Sequence, residues 1–185
     1  MAGATPAADP GTFVLAIDAD ARSLVDASRR AAGRPSRGVL PNIVFLAEGV
    51  ERLPAAFDGL ADRVSVNFPW GSLLRGALGL DEATTAAMAR LVAPSGRLEI
   101  VVSVVERDRR AMGAGAGPFG NDDIERMTLA FAVHGLVLVE TCPLTPDEIR
   151  ATGSTWAHRL RSDPDRPVWR IAFETTGRRA AVVVR

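Results

Sequence analysis

The sequence predicts an α/β fold with one mostly parallel sheet and an antiparallel pair of strands at one edge. Three observations support this prediction. Short apolar runs alternate with stretches that have the capping and charge pattern of helices, and this alternation favours parallel strands. The last two apolar runs are joined by a long polar connection instead, which indicates an antiparallel pair. The length of 185 residues is that of one ordinary domain, so we treat residues 1–185 as a single unit.

The chain begins with a strand, a helix and a second strand. Residues 12–17 form a short apolar run with β-branched members, which is typical of a buried strand. Asp20 can cap a helix over residues 20–32, because its carboxylate accepts hydrogen bonds from the free N–H groups of the first turn. A loop rich in glycine and proline, residues 33–41, leads to the second apolar run at residues 42–47.

The middle of the chain continues the alternation. Residues 63–68 are predicted as the third strand, and a helix follows from about Ser72. Residues 81–92 read as another helix, since acids occupy its first turn, where the helix dipole favours them. The turn at residues 94–96 leads to the fourth strand, residues 97–103.

The last third holds one more helix and the final two strands. Residues 104–120 are charged and then glycine-rich, and we predict a flexible loop there. A helix over residues 122–133 leads to a strand at 135–140, and residues 168–173 form the last strong strand. The polar connection between these strands, residues 143–167, is predicted to be an insert that recognises the target.

Composition excludes several classes of protein. Apolar residues make up 47% and charged residues 24%, which excludes intrinsic disorder and collagen-like repeats. The single cysteine, Cys142, excludes an internal disulfide and a multi-cysteine zinc site. No apolar run approaches the ~20 residues of a membrane span, and residues 1–10 lack a secretory signal pattern. We therefore expect a cytoplasmic protein without membrane contact.

The neutral net charge conceals two basic stretches. All 22 basic residues are arginines; five lie in residues 21–37 and eight in residues 149–185. Local positive potential can attract a polyanion even when the whole chain is neutral. Solvated arginines near helix ends would give the same pattern, so both interpretations stay open.

Two side chains at predicted strand ends suggest a ligand site. Asp18 ends the first strand, where an acid can accept hydrogen bonds from ribose hydroxyls or cap the following helix. Trp70 lies between Pro69 and Gly71, directly after the third strand. A rigid ring on such a turn suits base stacking, worth about 1–3 kcal/mol per base, although packing against the core is the alternative.

The long connection carries a second tryptophan among arginines. Trp156 is followed by Arg159, Arg161 and Arg166, which is the composition of a nucleic-acid contact surface. Two tryptophans at one end of the sheet could sandwich one extruded base.

Residues that could act as a catalytic base or metal ligand are scarce. His134 follows an apolar helical run, and His158 has no metal-binding partner at a useful spacing. Cys142 has no nearby base and is expected to be a small buried hydrophobe. These features favour a reaction in which a cofactor and its target are aligned, and no metal is expected.

Four motifs together resemble one enzyme family. Residues 68–74 (Phe-Pro-Trp-Gly-Ser-Leu-Leu), residues 154–160 (Ser-Thr-Trp-Ala-His-Arg-Leu), Asp18-Ala19 and residues 40–42 resemble the aminoglycoside-resistance 16S rRNA (adenine(1408)-N(1))-methyltransferases. The likeness runs from about residue 10 to residue 173. It implies a Rossmann-like class I methyltransferase fold that uses S-adenosyl-L-methionine (SAM). It also implies methylation of an adenine in the decoding site of the small ribosomal subunit by a monomeric enzyme.

The resemblance also implies roles for the matched residues. Asp18 would hold the cofactor ribose, Ala47 and Glu48 would lie near its adenine, and Asn67 and Phe68 would line the methyl-transfer pocket.

The remaining implied roles concern the RNA. Trp70 and Trp156 would stack on the flipped adenine, and Ser154 would help to position the catalytic loop. The residues expected to contact rRNA are Arg159, Arg161 and Arg166.

The sequence departs from the family at its beginning. The family's fold starts with a strand that ends in an acid, followed by a glycine-rich turn for the methionine part of the cofactor. Residues 1–11 match the helix after that turn. The resemblance therefore implies that this strand and turn are missing. Our hypothesis is that the true start lies upstream and that the chain as it stands binds little SAM. Alternatives are another or a decayed SAM-dependent RNA methyltransferase, or a non-catalytic RNA-binding module.

Overall fold

Six strands form two sheets in the described part of the chain. The computed structural model describes residues 11–32, 42–112, 117–152 and 166–176. The strands are β1 (Val14–Asp18), β2 (Ile43–Ala47), β3 (Ala61–Asn67), β4 (Val92–Val102), β5 (Leu136–Pro143) and β6 (Trp169–Thr175). The helices are α1 (Ala21–Ala31), α2 (Gly71–Ala77), α3 (Glu82–Arg90), α4 (Glu106–Met112), α5 (Asn121–Ala132) and α6 (Pro146–Ala151), with single 3₁₀ turns at Val50–Arg52 and Ala55–Phe57. No helix among these is long and apolar enough to cross a membrane.

Strand order confirms the mixed α/β prediction and refines it. β1 pairs with β2 in parallel, and the larger sheet has the order β3-β4-β6-β5. β3 is parallel to β4, while β6 is antiparallel to both β4 and β5. The antiparallel pair predicted at one edge is therefore β5 with β6, and β5 is the outer strand.

The single sheet predicted from the sequence is two sheets in the structure. Within the described residues no ladder joins β1 or β2 to β3, so the free edges of β1 and β3 have no strand partner. The interruption falls where the resemblance places the family's first strand.

The main core lies on one face of the larger sheet. Phe131 of α5 packs on Phe173 of β6 with ring centroids 4.7 Å apart, and both side chains are fully buried. Leu98 and Ile100 of β4 face the same core, together with Met127 of α5. Alternate residues of β4 thus point to the helices, as the period of a strand requires.

The opposite face of this sheet is charged. Arg97 of β4 donates to Glu174 of β6 at 3.0 Å and also to Glu140 of β5. Arg63 of β3 donates to Glu99 of β4 at 2.7 Å. These pairs are partly exposed, so they contribute little free energy individually, but they join all four strands.

The predicted start of the fourth strand was wrong. The turn at residues 94–96 lies inside β4, where the register with β3 shifts. Ser95 has a positive φ of 65°, and a Cβ on Gly96 would approach the carbonyl oxygen of Ala93 to 2.8 Å. The segment is therefore a bulge, which an alternating pattern does not reveal.

The prediction of a loop over residues 104–120 was wrong for its central part. α4 forms there because Arg109 donates to Asp123 of α5, and both side chains are buried. The carbonyl oxygen of Met112 accepts a hydrogen bond from Arg75 at 2.9 Å. These partners lie far away in sequence, so local composition could not predict the helix.

The polar connection before β6 begins with a helix. α6 is capped by Thr145, whose side chain accepts from the N–H of Glu148 while the Glu148 carboxylate accepts from the N–H of Thr145. The rest of the predicted insert, residues 153–165, lies outside the described residues. Residues 180–184, whose apolar run would fit a short strand or a tail, also lie outside them.

Replacement of Phe131 by alanine is expected to destabilise the protein strongly. The change removes a ring that is fully buried against Phe173, so the free energy of unfolding should fall by about 3–5 kcal/mol. Leu129→Ala, on the same helix at 64% exposure, should cost about 0.5 kcal/mol or less. Urea unfolding followed by circular dichroism measures both, and similar losses in the two variants would contradict this core assignment.

Candidate functional site

The candidate site lies where the parallel strands of each sheet have their carboxyl ends. We call this end of the sheet the ligand edge. β3, β4 and β5 run in the same direction, so their carboxyl ends share an edge, and the antiparallel β6 begins at that edge. The register pairs Asn67 with Val101 and Val102 with Trp169, which puts the ends of three adjacent strands side by side. Open α/β sheets bind ligands outside the carboxyl ends of their strands.

The three predicted cofactor residues of the smaller sheet are neighbours. Asp18 and Ala47 are register partners at the ends of β1 and β2. The N–H of Glu48 donates to the carbonyl oxygen of Asp18 at 3.1 Å. The structure therefore brings Asp18, Ala47 and Glu48 together, with Ala47 exposed.

Asp18 has one carboxylate oxygen engaged locally. Its Oδ1 accepts from the N–H of Asp20 at 2.8 Å, which shapes the turn into α1. Oδ2 makes no hydrogen bond with the residues that the structure describes. Oδ1 thus shapes the turn before α1, and Asp20 rather than Asp18 accepts from the first turn of the helix. The contact of Asp18 with a ribose hydroxyl stays a prediction.

The loop after β2 is organised by charges that the sequence interpretation overlooked. Arg52 donates to Glu48 Oε1, and the N–H of Gly49 donates to the same oxygen at 2.9 Å. The hydrogen bond from Arg52 lowers the pKa of Glu48 most, and the hydrogen bond from Gly49 lowers it further. The side chain of Glu51 lies against Gly49, because a Cβ atom added to Gly49 would be 2.7 Å from Glu51 Oε1. The sequence does contain a signal for Glu51 and Arg52. They form, with Glu48, a group of two carboxylates and one guanidinium directly after a predicted strand.

The turn after β3 has a strained backbone. Phe68 has a φ of 50°, which is uncommon for a large residue and tends to occur at functional sites. Its N–H donates to the carbonyl oxygen of Val101 at 2.8 Å. Its ring packs against the cluster formed by Val101, Leu144 and Val168. Phe68 is thus fixed at the edge of the larger sheet, with Asn67 exposed beside it.

Trp70 extends from this turn into solvent. It precedes the first residue of α2 and is 65% exposed, while the preceding Pro69 is buried. Gly71 follows with a φ of 59°, a conformation that glycine adopts without strain. Trp70 is therefore not a core residue, and base stacking by it stays a prediction.

Arg166 is held by protein groups at the same edge. Its Nε donates to the hydroxyl of Ser103 and its Nη2 to the carbonyl oxygen of Ser103, each at 2.8 Å. Nη2 also donates to Asp108 at 2.8 Å. Nη1 makes no hydrogen bond with the described residues. The predicted rRNA contact would therefore have to use Nη1, and it stays a prediction.

The other predicted RNA-facing residues lie outside the described residues. They are Ser154, Trp156, Arg159 and Arg161. The residues on either side of this segment are described. Ile149 of α6 packs against the same cluster as Phe68, and Arg166 is bonded to Ser103. Ile149 and Arg166, which lie before and after the undescribed residues, are thus both bound at the edge that carries Phe68 and Trp70.

The histidine and cysteine are not arranged for catalysis. His134 donates its N–H to the carbonyl oxygen of Phe131 in the turn that ends α5. Burial, followed by the nearby Glu140, raises the pKa of the Cys142 thiol, which disfavours a thiolate. No cluster of three metal-ligating side chains occurs in the described part of the chain.

The mixed α/β fold is that of the class I SAM-dependent methyltransferases. Solved structures agree. The 16S rRNA methyltransferase KamB superposes with a TM-score of 0.78 at 28% identity, over 90% of this chain and 78% of that one. The aminoglycoside resistance methyltransferase NpmB1 gives a TM-score of 0.68 at 31% identity, over 89% and 76%.

Sequence comparison identifies the family. The family model NpmA, 16S rRNA (adenine(1408)-N(1))-methyltransferase, matches residues 2–175. The enzyme of that name from Streptoalloteichus tenebrarius is 32% identical over 160 residues, which are 85% of this chain and 74% of the relative. The Escherichia coli enzyme is 26% identical over 168 residues, 89% of this chain and 77% of its own. The chain belongs to the 16S rRNA (adenine(1408)-N(1))-methyltransferase family.

Substitution of Asp18 by asparagine is expected to weaken SAM binding. A hydrogen bond from a ribose hydroxyl to a charged carboxylate is worth about 1.5–3 kcal/mol, so the dissociation constant should rise about 10- to 100-fold. Isothermal titration calorimetry with SAM on the purified protein measures this change.

Asp26→Asn is the matched control for charge. Asp26 lies on α1 with a side chain 80% exposed, paired with Arg29 at 4.0 Å. Its replacement should leave SAM affinity unchanged. Equal affinities for the wild type and Asp18→Asn would show that Asp18 only shapes the turn.

Proposed function

We propose that this protein methylates N1 of adenine 1408 of 16S rRNA within the small ribosomal subunit, with SAM as methyl donor. The observation that carries the proposal is the Asn67–Trp70 turn. Its exposed tryptophan follows a strained phenylalanine at the ligand edge, in a chain matched by the family model over residues 2–175. The product would prevent aminoglycosides from binding the decoding site and so confer resistance.

The residues at the end of the smaller sheet fit part of the cofactor. Asp18 Oδ2 would accept hydrogen bonds from the ribose, and the exposed Ala47 leaves room for a flat ring beside it. Glu48 is held in place by Arg52 and Gly49, so the wall of this subsite is fixed before a ligand binds. When bound, SAM supplies a methyl group on a positively charged sulfur.

The reaction needs alignment rather than acid–base chemistry. Adenine N1 carries a lone pair and can attack the methyl carbon directly, so the protein need not remove a proton first. The contribution of the protein is to hold the target nitrogen in line with the methyl group, which can supply several kcal/mol of the barrier reduction.

Aromatic stacking would provide the alignment. The target adenine must leave its helix, which costs a few kcal/mol. Trp70 is exposed at the site edge, and the family resemblance implies that Trp156 provides the second ring. A base stacked between two rings would recover about 1–3 kcal/mol per ring. Asn67, exposed beside Phe68, would line the pocket with a group able both to donate and to accept hydrogen bonds.

The RNA outside the flipped base would meet arginine side chains. Arg159, Arg161 and Nη1 of Arg166 are the groups proposed to contact phosphates, and the active species is proposed to be a monomer in the cytoplasm. Phosphate contacts by arginine make binding dependent on salt concentration.

Primer extension on 16S rRNA tests the proposed function. Methyl groups at N1 block Watson–Crick pairing, so reverse transcriptase should stop next to adenine 1408 after small subunits are incubated with the protein and SAM. Omission of SAM and use of free 16S rRNA are the controls, and we expect a stop only with intact subunits and SAM. A stop at another adenine would identify a different RNA methyltransferase, and RNA binding without any stop would identify a non-catalytic module.

Replacement of Trp70 by alanine should reduce methylation while SAM affinity stays the same. Loss of one stacking contact of about 1–3 kcal/mol corresponds to a decrease of about 5- to 150-fold in the rate at subsaturating subunits. Leu129→Ala is the control, because Leu129 is 64% exposed against 65% for Trp70 and lies on α5. Trp156→Ala should behave like Trp70→Ala. Unfolding of Trp156→Ala would show instead that Trp156 is a packing residue.

A further inference from the structure

The two carboxylate oxygens of Glu48 have different surroundings. Oε1 accepts from Arg52 Nε and from the N–H of Gly49, the latter at 2.9 Å. Oε2 makes no hydrogen bond with the residues that the structure describes. The N–H of Glu48 donates to the carbonyl oxygen of Asp18 at 3.1 Å, which places Glu48 beside the proposed ribose ligand. The Glu48 side chain is 34% exposed, so Oε2 is the oxygen that can accept from a ligand.

Arg52 reaches Glu48 because the chain turns back directly after β2. The N–H of Arg52 donates to the carbonyl oxygen of Gly49 at 3.0 Å in a single 3₁₀ turn. The next residue, Leu53, is buried, and its carbonyl oxygen accepts from Arg90 of α3 at 2.6 Å. The turn is therefore anchored to a helix of the main core, and the spacing of four residues sets the Arg52 guanidinium against the Glu48 carboxylate.

The ion pair between Arg52 and Glu48 contributes little to stability. The Arg52 side chain is 62% exposed, and exposed pairs add little to the free energy of unfolding. The pair nevertheless changes the carboxylate itself. Arg52 occupies Oε1, restricts the carboxylate to one orientation and, together with Gly49, keeps the pKa of Glu48 below its usual value. Removal of Arg52 should therefore alter what Glu48 binds more than how stably the protein folds.

Two acceptors at the ends of neighbouring strands select a ligand by its donors. Carboxylate oxygens accept hydrogen bonds, so Asp18 Oδ2 and Glu48 Oε2 both require N–H or O–H groups. The adenosine part of SAM has such groups at both of its ends, namely the ribose hydroxyls and the exocyclic amine of adenine. A base with a carbonyl oxygen in place of that amine would set one acceptor against another.

We propose that Arg52 is a positioning residue that directs Glu48 Oε2 to the exocyclic amine of the cofactor's adenine. The subsite would thereby select adenine over bases that carry a carbonyl oxygen at that position. Arg52 acts through Glu48 and needs no contact with the ligand. This inference rests on the proposed function, because it takes the subsite at Asp18 and Glu48 to hold SAM.

Titration of the purified protein with adenosine and with inosine tests the proposal. Both nucleosides lack the methionine part of SAM, so their binding does not require the glycine-rich turn that the family resemblance assigns to it. Inosine carries a carbonyl oxygen where adenosine has the amine. Amide chemical shifts of Ala47 and Glu48, followed by nuclear magnetic resonance, give both dissociation constants. We expect the wild type to bind adenosine about 10-fold or more tightly than inosine, the effect of one hydrogen bond to a charged group.

Substitutions of the pair show how Arg52 acts. Arg52→Ala should reduce the preference for adenosine about 3- to 10-fold, the size of coupling expected between contacting groups. Arg52→Lys keeps a positive charge near the carboxylate and should restore part of the preference. Glu48→Ala should abolish the preference. Adding Arg52→Ala to Glu48→Ala should have no further effect, because the proposed role of Arg52 runs through Glu48 alone.

Arg110→Ala is the matched control. Arg110 donates to Glu106, four residues earlier on α4, and its side chain is 71% exposed. The change removes an ion pair of the same spacing and similar exposure from a helix that follows the larger sheet. Both dissociation constants should equal those of the wild type. The midpoint of urea unfolding of Arg52→Ala should also stay close to wild type, which excludes a general effect on folding.

The outcomes separate this inference from the proposed function. An equal preference for adenosine in the wild type and in Arg52→Ala overturns the positioning role, and so does a wild type that binds both nucleosides equally or binds neither. A further loss when Arg52→Ala is added to Glu48→Ala also overturns it, because Arg52 would then contact the ligand itself. The proposed function is judged separately by primer extension, where the lack of a stop at adenine 1408 overturns it whatever the nucleosides show.

Discussion

The antiparallel placement of β6 between β4 and β5 is the constraint on which the larger half of the site depends. An added parallel strand would begin at the opposite end of the sheet, far from the ends of β3 and β4. Because β6 runs the other way, its first residues lie beside Val102 and Pro143, and the chain that precedes it must arrive at the ligand edge. Arg166 and Val168 consequently meet Ser103 and the Phe68 cluster. Strand direction therefore brings Arg166 and Pro167, which precede β6, to this edge before any side chain is considered.

Two buried ion pairs fix the position of α4 beside this edge. Arg109 with Asp123, and Arg166 with Asp108, are ion pairs whose side chains are 12% exposed or less. Such pairs add little to stability relative to apolar packing, yet breaking one costs about 3–5 kcal/mol, so they strongly disfavour alternative arrangements. Both pairs fasten α4, a helix of seven residues that would not persist in isolation.

The sequence predicted the elements that depend on neighbouring residues in the chain. It did not predict the elements that depend on partners distant in sequence. Strands β1 to β6 were found because each is an apolar run, and Asp18, Ala47, Asn67 and Trp70 were placed at one kind of strand end because the order of elements determines that edge. α4 was missed because its stability comes from Asp123, Arg75 and Arg166, all distant in sequence. The engagement of Arg166 was missed for the same reason, since an arginine near a tryptophan has the same composition whether it faces RNA or a buried carboxylate. The division into two sheets depends on which strands pair, which apolar runs do not encode.

The chemistry explains why positioning residues should matter more here than acids and bases. A nucleophile with a free lone pair needs no proton removed, so the rate is governed by distance and angle between N1 and the methyl group. The fold holds residues on both proposed sides of the reaction. Glu48 is fixed by Arg52 and Gly49 beside the proposed cofactor subsite, and Phe68 is fixed by Val101 beside the proposed position of the target base. The backbone strain at Phe68, of order 1–3 kcal/mol, directs the next residues out of the sheet and leaves Trp70 exposed. The proposed stacking of Trp70 on the target base relies on this turn, because the ring is exposed where the backbone leaves the sheet.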